Sequence, residues 1–285
     1  MDRLVASLLA LTSMQSEAHT LDEATRLVPL GEGWHAGATH PAYANMTGPF
    51  GGVTAAALLN AILVDPRRAG DPIALTVNFC GAIVDGEYEI ETKLQRGGRI
   101  TQHWSMELKQ KGAVATTASA VCGARKPVWS LYPVQALAPP SRDALAEMRK
   151  DGRPEWTRRY SFRFVEGGLD NYPRSDGLIH SARSLAYIQD APARPLDFVS
   201  LAALSDAFFV RIMHARGTFQ PMATVSLTTY FHVGAEELAA IGAAPLIGEA
   251  DAAIFHNGFA DQTSALWTLD GRLVANGVQI TWYKE

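Results

Sequence analysis

Two stretches of this chain read as helices without a polar face, and that restricts the folds open to it. The first, "PFGGVTAAALLNAILV", begins after Gly48 and is stopped at Asp65-Pro66, because proline drives the preceding residue out of helical geometry. The second, "FVSLAALSDAFFVRIMHA", runs from Phe198 to Ala215 as one helix, with Asp197 as N-cap and Gly217 as terminator. A surface helix keeps a polar stripe toward water, so a helix that is apolar almost all round has to be enclosed. Strand patterns flank both helices, and a sheet wrapped around each is the simplest enclosure.

The strands are legible from alternation. "YEIETKL" (Tyr88 to Leu94) and "HWSMELK" (His103 to Lys109) alternate apolar with polar residues, and "AVATTASAVC" follows a Lys111-Gly112 turn. In the second half "RRYSFRFVE", "SARSLAYIQD", "ATVSLTTYFHV", "TSALWTL" and "LVANGVQITWY" read the same way, the last two joined by a hairpin turn at Asp270-Gly271. Between the halves, "ARKPVWSLYPVQALAPPSRDALAEMRKDGRP" is rich in proline and charge and has no strand pattern. The expected organisation is α+β, with units at 1–125 and 155–285 and a linker at 126–154.

The halves also match residue by residue. Laying "VTAAALLNAIL" (Val53 to Leu63) over "VSLAALSDAFF" (Val199 to Phe209) sets Asn60 opposite Asp206, and "LTVNF" at Leu75 lies over "LTTYF" at Leu227. Carried through the strands, the match makes Pro72 and Ala120 the counterparts of Thr224 and Gln279. We read this as an internal duplication.

Composition narrows the function. The 285 residues are 47% apolar and 19% charged, with a net charge of -4, so nothing favours a nucleic-acid or anionic-membrane partner. Small-molecule chemistry is the default, and self-association is left open. No apolar run reaches the length of a membrane span. The two cysteines, Cys80 and Cys122, form no C-x-x-C pair and no His cluster has metal spacing, so we expect core thiols in a reducing compartment, no disulfide, and no metal or bound cofactor. The N-terminal "MDRLVASLLALTSMQSEA" imitates a signal peptide, but Asp2 spoils its charged region and Leu4, Leu8 and Leu11 recur at helical spacing. A short amphipathic helix in a cytoplasmic protein is the expectation.

Asp206 is the anomaly in the second helix. At helical spacing its neighbours are Val199, Ala202, Ala203, Phe209, Val210 and Met213, none of them a charge partner. A buried carboxylate without a partner is costly, so it either bonds a strand or a distant arginine, or serves as a base.

The segments "FGGVTAAALL", "LSDAFF", "ATVSLTTYFH" and "GRLVANGVQITW" resemble the acyl-CoA thioesterase II family, and the resemblance covers nearly the whole chain. It implies a double-hotdog fold, two tandem units each with an antiparallel sheet around a long central helix. It further implies hydrolysis of acyl-CoA thioesters, and a place in fatty acid metabolism. In that family an aspartate on the second helix, a threonine on the next strand and a glutamine on the last strand hold the attacking water; the matching positions are Asp206, Thr224 and Gln279. The flanks "VSLTT" and "ITWY" depart from the family's charged or amide-rich residues, which bears on substrate preference. Taken singly, a strand threonine is usually a β-former and a strand glutamine usually faces solvent.

An oxyanion formed from the thioester carbonyl needs hydrogen-bond donors. Gly51 and Gly52 open the first helix, where amides are free and glycine admits a close ligand, although they also suit a tight loop-to-helix join. Rival readings are a double-hotdog hydratase, faintly suggested by Asp176 and His180 in "YPRSDGLIH", and a non-catalytic acyl-CoA-binding module. No G-x-S-x-G is present, which removes the usual serine-hydrolase signature.

Overall fold

The computed structural model describes residues 18–134, 138–170, 172–174 and 176–284. The amphipathic helix expected around Leu4 to Leu11 lies outside them. In chain order the described helices are α1 (Thr20–Ala24), α2 (Gly51–Leu63), α3 (Phe198–Ser205), α4 (Arg211–Arg216) and α5 (Ala235–Ile241). The strands of the first half are β1 (Val28–Gly31), β2 (Trp34–Ala38), β3 (Asp71–Phe79), β4 (Glu87–Gly97), β5 (Thr101–Gln110) and β6 (Ala113–Gly123). Those of the second are β7 (Tyr160–Glu166), β8 (Ser184–Asp190), β9 (Met222–Phe231), β10 (Leu246–Asp251), β11 (Phe255–His256), β12 (Phe259–Trp267) and β13 (Leu273–Tyr283).

All these strands join one antiparallel sheet in the order β1-β2-β4-β5-β6-β3-β9-β13-β12-β10-β8-β7, with β11 paired to β12. Read from either end the order of elements is the same, so β3 answers β9 and β6 answers β13. The seam is the β3–β9 pair, where Thr76 lies opposite Thr228 with their hydroxyls 3.0 Å apart. About this point Leu75 faces Thr229 and Val77 faces Leu227. Leu75 pairs with Ala120 on β6 and Leu227 pairs with Gln279 on β13, so the register makes Ala120 the equivalent of Gln279. The pairing also slips by one residue at Ile73 on β3 and at Val225 on β9, which makes Pro72 the equivalent of Thr224.

Helices α2 and α3 pack against each other, α2 also touching β4 and β5, and α3 touching β8, β12 and β13. Ten of the thirteen residues of α2 and all eight of α3 are buried, which accounts for their lack of a polar face. A side chain on Gly52 would come within 2.6 Å of the Ala203 carbonyl, so the two helices meet closely there. Asp197 caps α3 through the amide of Ser200 at 2.7 Å, and Gly217 ends α4 with φ +65°.

Two expectations need correction. The stretch Phe198 to Ala215 is not one helix: α3 ends at Ser205, Asp206 is its C-cap, and α4 starts at Arg211. The apolar pattern runs on through the break because Ala207, Phe208 and Phe209 are buried without being helical. Of the two thiols, both free, only Cys122 is in the core; Cys80 is exposed, because it follows the last residue of β3 and turns out beside Thr117. Strands β1, β2 and β10 and helix α5 carried no pattern that singled them out.

Candidate active site

Asp206 closes α3 with its carboxylate toward the N-terminus of α2. Helix α2 has no cap of its own, since Phe50 at the N-cap position makes no side-chain bond. The Gly52 amide faces the Asp206 carboxylate and favours its charged form, so the carboxylate of one half sits at the open helix end of the other. Gly51 leaves room for this. A methyl group there would lie 2.7 Å from Asp206 Oδ2 and 3.2 Å from the Phe79 ring.

Gln279 reaches the same carboxylate from β13, its Nε2 donating to Asp206 Oδ1 at 2.7 Å. Strand alternation turns Val278 and Ile280 outward, 43% and 42% exposed, and leaves Gln279 inside at 2%. The usual polarity of a half-buried strand is thus inverted here. Thr224 extends the chain of bonds, its Oγ1 donating to Gln279 Oε1 at 3.3 Å. Simple alternation from buried Leu227 would point Thr224 the other way. The one-residue bulge at Val225 brings Thr224 opposite Thr281, two residues beyond Gln279, and so onto the inner face.

Burial raises the pKa of Asp206 to about 7, against the bonds from Gln279 and Gly52, which favour the charged form; no cation contributes. The low-dielectric wall beside it is aromatic. Phe50, just before α2, stacks on Trp156 at 4.3 Å, and Trp156 packs on Phe209, three residues past Asp206. Tyr160, buried behind them, has its hydroxyl pKa pushed well up, mainly by burial. A carboxylate balanced near neutrality, bonded to an amide that also faces a hydroxyl, can accept a proton from water at that point.

The five residues singled out from the sequence therefore lie together. The Gly52 amide, expected to serve an oxyanion, faces the Asp206 carboxylate. The first-half equivalents form no such group: Asn60 donates to the Thr25 carbonyl at 2.9 Å, and Pro72 and Ala120 carry no polar side chain. Asp176 and His180 bond each other at the surface, 2.8 Å apart, and bond nothing around Asp206. Gln262 escaped notice in the sequence although a signal was present. Counting back seven residues on each side of a two-residue Asp270-Gly271 turn pairs it with Gln279, as the structure does. Among the described residues no group of His, Cys, Asp and Glu is arranged to hold a metal, and no helix is long and apolar enough to cross a membrane.

Two family models match the chain. Residues 40–123 match the N-terminal domain of acyl-CoA thioesterases and residues 135–283 match the C-terminal domain. Among solved structures, a conserved protein of unknown function with a hot dog fold from Alicyclobacillus acidocaldarius is 34% identical, with 94% of this chain and 99% of that chain covered and a TM-score of 0.89. An acyl-CoA thioesterase II from Mycobacterium marinum is 19% identical over 93% of this chain and 98% of its own, with a TM-score of 0.69. The tesB protein of Mycobacterium avium subspecies paratuberculosis is 16% identical over 94% of this chain and 100% of its own, with a TM-score of 0.75. No curated protein matched. The large antiparallel sheet with few helices is a hotdog fold.

Proposed function

We propose, for a chain that belongs to the acyl-CoA thioesterase family and is a thioester hydrolase, that Asp206, Gln279 and Thr224 hold and activate the water that cleaves an acyl-CoA. The observation that carries this reading is the bonded series Thr224–Gln279–Asp206 ending at the N-terminus of α2. The matching strand orders support two hotdog units, 1–125 and 155–285, each wrapped on its helix, with 126–154 as the linker. The free thiols fit a reducing, cytoplasmic setting.

In this mechanism ionised Asp206 takes a proton from water as the water oxygen bonds to the thioester carbon. Gln279 and Thr224 orient that water, because an amide and a hydroxyl each both donate and accept. The carbonyl oxygen becomes an oxyanion facing the positive end of α2. With the Gly52 amide turned to Asp206, the oxyanion falls to the neighbouring first-turn amides, and Gly51 admits it closely. Collapse of the intermediate breaks the C–S bond, and protonated Asp206 returns its proton to the departing thiolate. No covalent enzyme intermediate forms.

One observation favours a second reading. Asp206 sits at the uncapped N-terminus of α2, where a purely structural carboxylate in an acyl-CoA-binding module would look the same. A panel of acyl-CoA thioesters, with free thiol and hydrated enoyl product both measured, separates the readings. Thiol release abolished by Asp206→Asn supports hydrolysis. Hydrated product points to a hydratase, and binding without turnover to the module.

A further inference from the structure

The helix break that frees Asp206 is held by two side chains that have no place in the mechanism above. Helix α3 ends through the tight bonds Asp206 N–Ala203 O and Ala207 N–Leu204 O, and α4 resumes at Arg211. Between them Phe208 and Phe209 leave backbone carbonyls inside the protein, where an unmet carbonyl is costly. Gln262 Nε2 donates to Phe208 O at 3.4 Å, and Gln262 Oε1 accepts from the Arg211 amide at 3.2 Å. Arg211 Nε donates to Phe209 O at 2.8 Å, and Nη2 reaches the same oxygen. Its Nη1 ties the loop to the sheet through Ser184 Oγ at 2.7 Å and Ala182 O at 3.2 Å.

Both residues are 1% exposed. An arginine that deep normally carries a carboxylate, because a buried charge without one is costly. Here Asp251 acts on it only from a distance, and the guanidinium is spent on carbonyls and a hydroxyl. Gln262 also lies directly across β12–β13 from Gln279. One strand pair thus presents two buried glutamines side by side, one bonded to the Asp206 carboxylate and the other to the backbone just beyond it. In the first half the residue opposite Ala120 is Trp104, and α2 runs unbroken to Leu63.

Resting on the reading of Asp206 as the base, we infer that Gln262, together with Arg211, is a positioning residue that sets the direction of the Asp206 carboxylate by clamping the helix break. It touches neither water nor substrate, so its removal acts on turnover and leaves substrate affinity in place. A misplacement of about 1 Å costs up to roughly 100-fold in rate.

The test is a double-mutant cycle with Gln262→Leu and Asp206→Asn in the full chain. Steady-state kinetics are run on an acyl-CoA that the wild type hydrolyses, and folded fraction is followed by circular dichroism. Gln262→Leu should lower kcat roughly 10- to 100-fold with KM within about threefold of wild type. In the Asp206→Asn background the same change should cost nothing further, because the group it serves is gone. Wild-type kcat in folded Gln262→Leu would overturn the inference, as would an equal loss in both backgrounds. Full activity in Asp206→Asn alone would instead sink the reading of Asp206 itself. Arg211→Met removes a buried charge and its four bonds, and serves as a second variant provided it folds; its losses should follow the same pattern.

Discussion

The amide of Gly52, in the first half of the chain, faces the carboxylate of Asp206 in the second and favours its charged form. At the end of its own helix Asp206 meets the unfavourable, negative pole; at the start of α2 it meets the favourable one. The carboxylate is therefore tied to the contact between the two halves, and variants at this contact separate its structural part from its chemical part.

Asp206→Asn keeps size and polarity and removes the proposed base. Thioester hydrolysis should fall by roughly 10²- to 10⁴-fold, with the protein folded, as measured by thiol release at saturating substrate. Normal turnover in the folded variant would end the proposed mechanism.

The pH dependence has a definite sign. With ionised Asp206 as the proposed base, kcat/KM should rise with pH and level off above about 7. Gln279→Ala removes a bond that favours the charged form, and the rising limb should move to higher pH. Stability runs the other way. The folded pKa lies above the ordinary 3.8, so Asp206 contributes stability that is complete below 3.8 and lost as pH rises through about 7. Thermal melts should show Asp206→Asn gaining on the wild type at pH 8 relative to pH 5; a constant difference would contradict the raised pKa.

The two glycines should fail differently. Gly51→Ala places its methyl against Asp206 Oδ2 and the Phe79 ring, and should reduce kcat at least tenfold with a modest loss of melting temperature. Gly52→Ala meets the Phe50 ring and the Ala203 carbonyl at 2.6 Å, and should chiefly destabilise, by about 1–3 kcal/mol in a urea titration. Equal melting curves for the two variants would refute this division.

Thr224→Val keeps the shape of the side chain and deletes the donor to Gln279. It should lower kcat more than it raises KM. An effect confined to KM would move Thr224 from water placement to substrate binding.

A single site per chain is the last expectation. Asn60→Asp in an Asp206→Asn background should not restore hydrolysis, because Pro72 and Ala120 offer nothing to hold a water. Recovered activity, or two equivalents of a non-hydrolysable acyl-CoA analogue bound per chain, would show the halves to be equivalent.

The buried helices and the lone carboxylate in apolar sequence were legible from residue order, because burial patterns and turn residues act locally. Asp197 as cap, Gly217 as terminator and the equivalence of Thr224 with Pro72 follow from the same local rules. The end of α3 at Ser205 does not. Local propensity favours a continuous helix there, and side chains arriving from β12 and α4 satisfy the interrupted backbone instead. Thr224 faces inward for a similar reason: strand alternation is a rule of period two, and one bulged residue at Val225 reverses it. The pKa of Asp206, its place at the start of α2, its bond from Gln279 and the bond from Thr224 to Gln279 exist only once elements from both halves exclude water around it, since desolvation and hydrogen bonding belong to the packed structure and not to the order of residues.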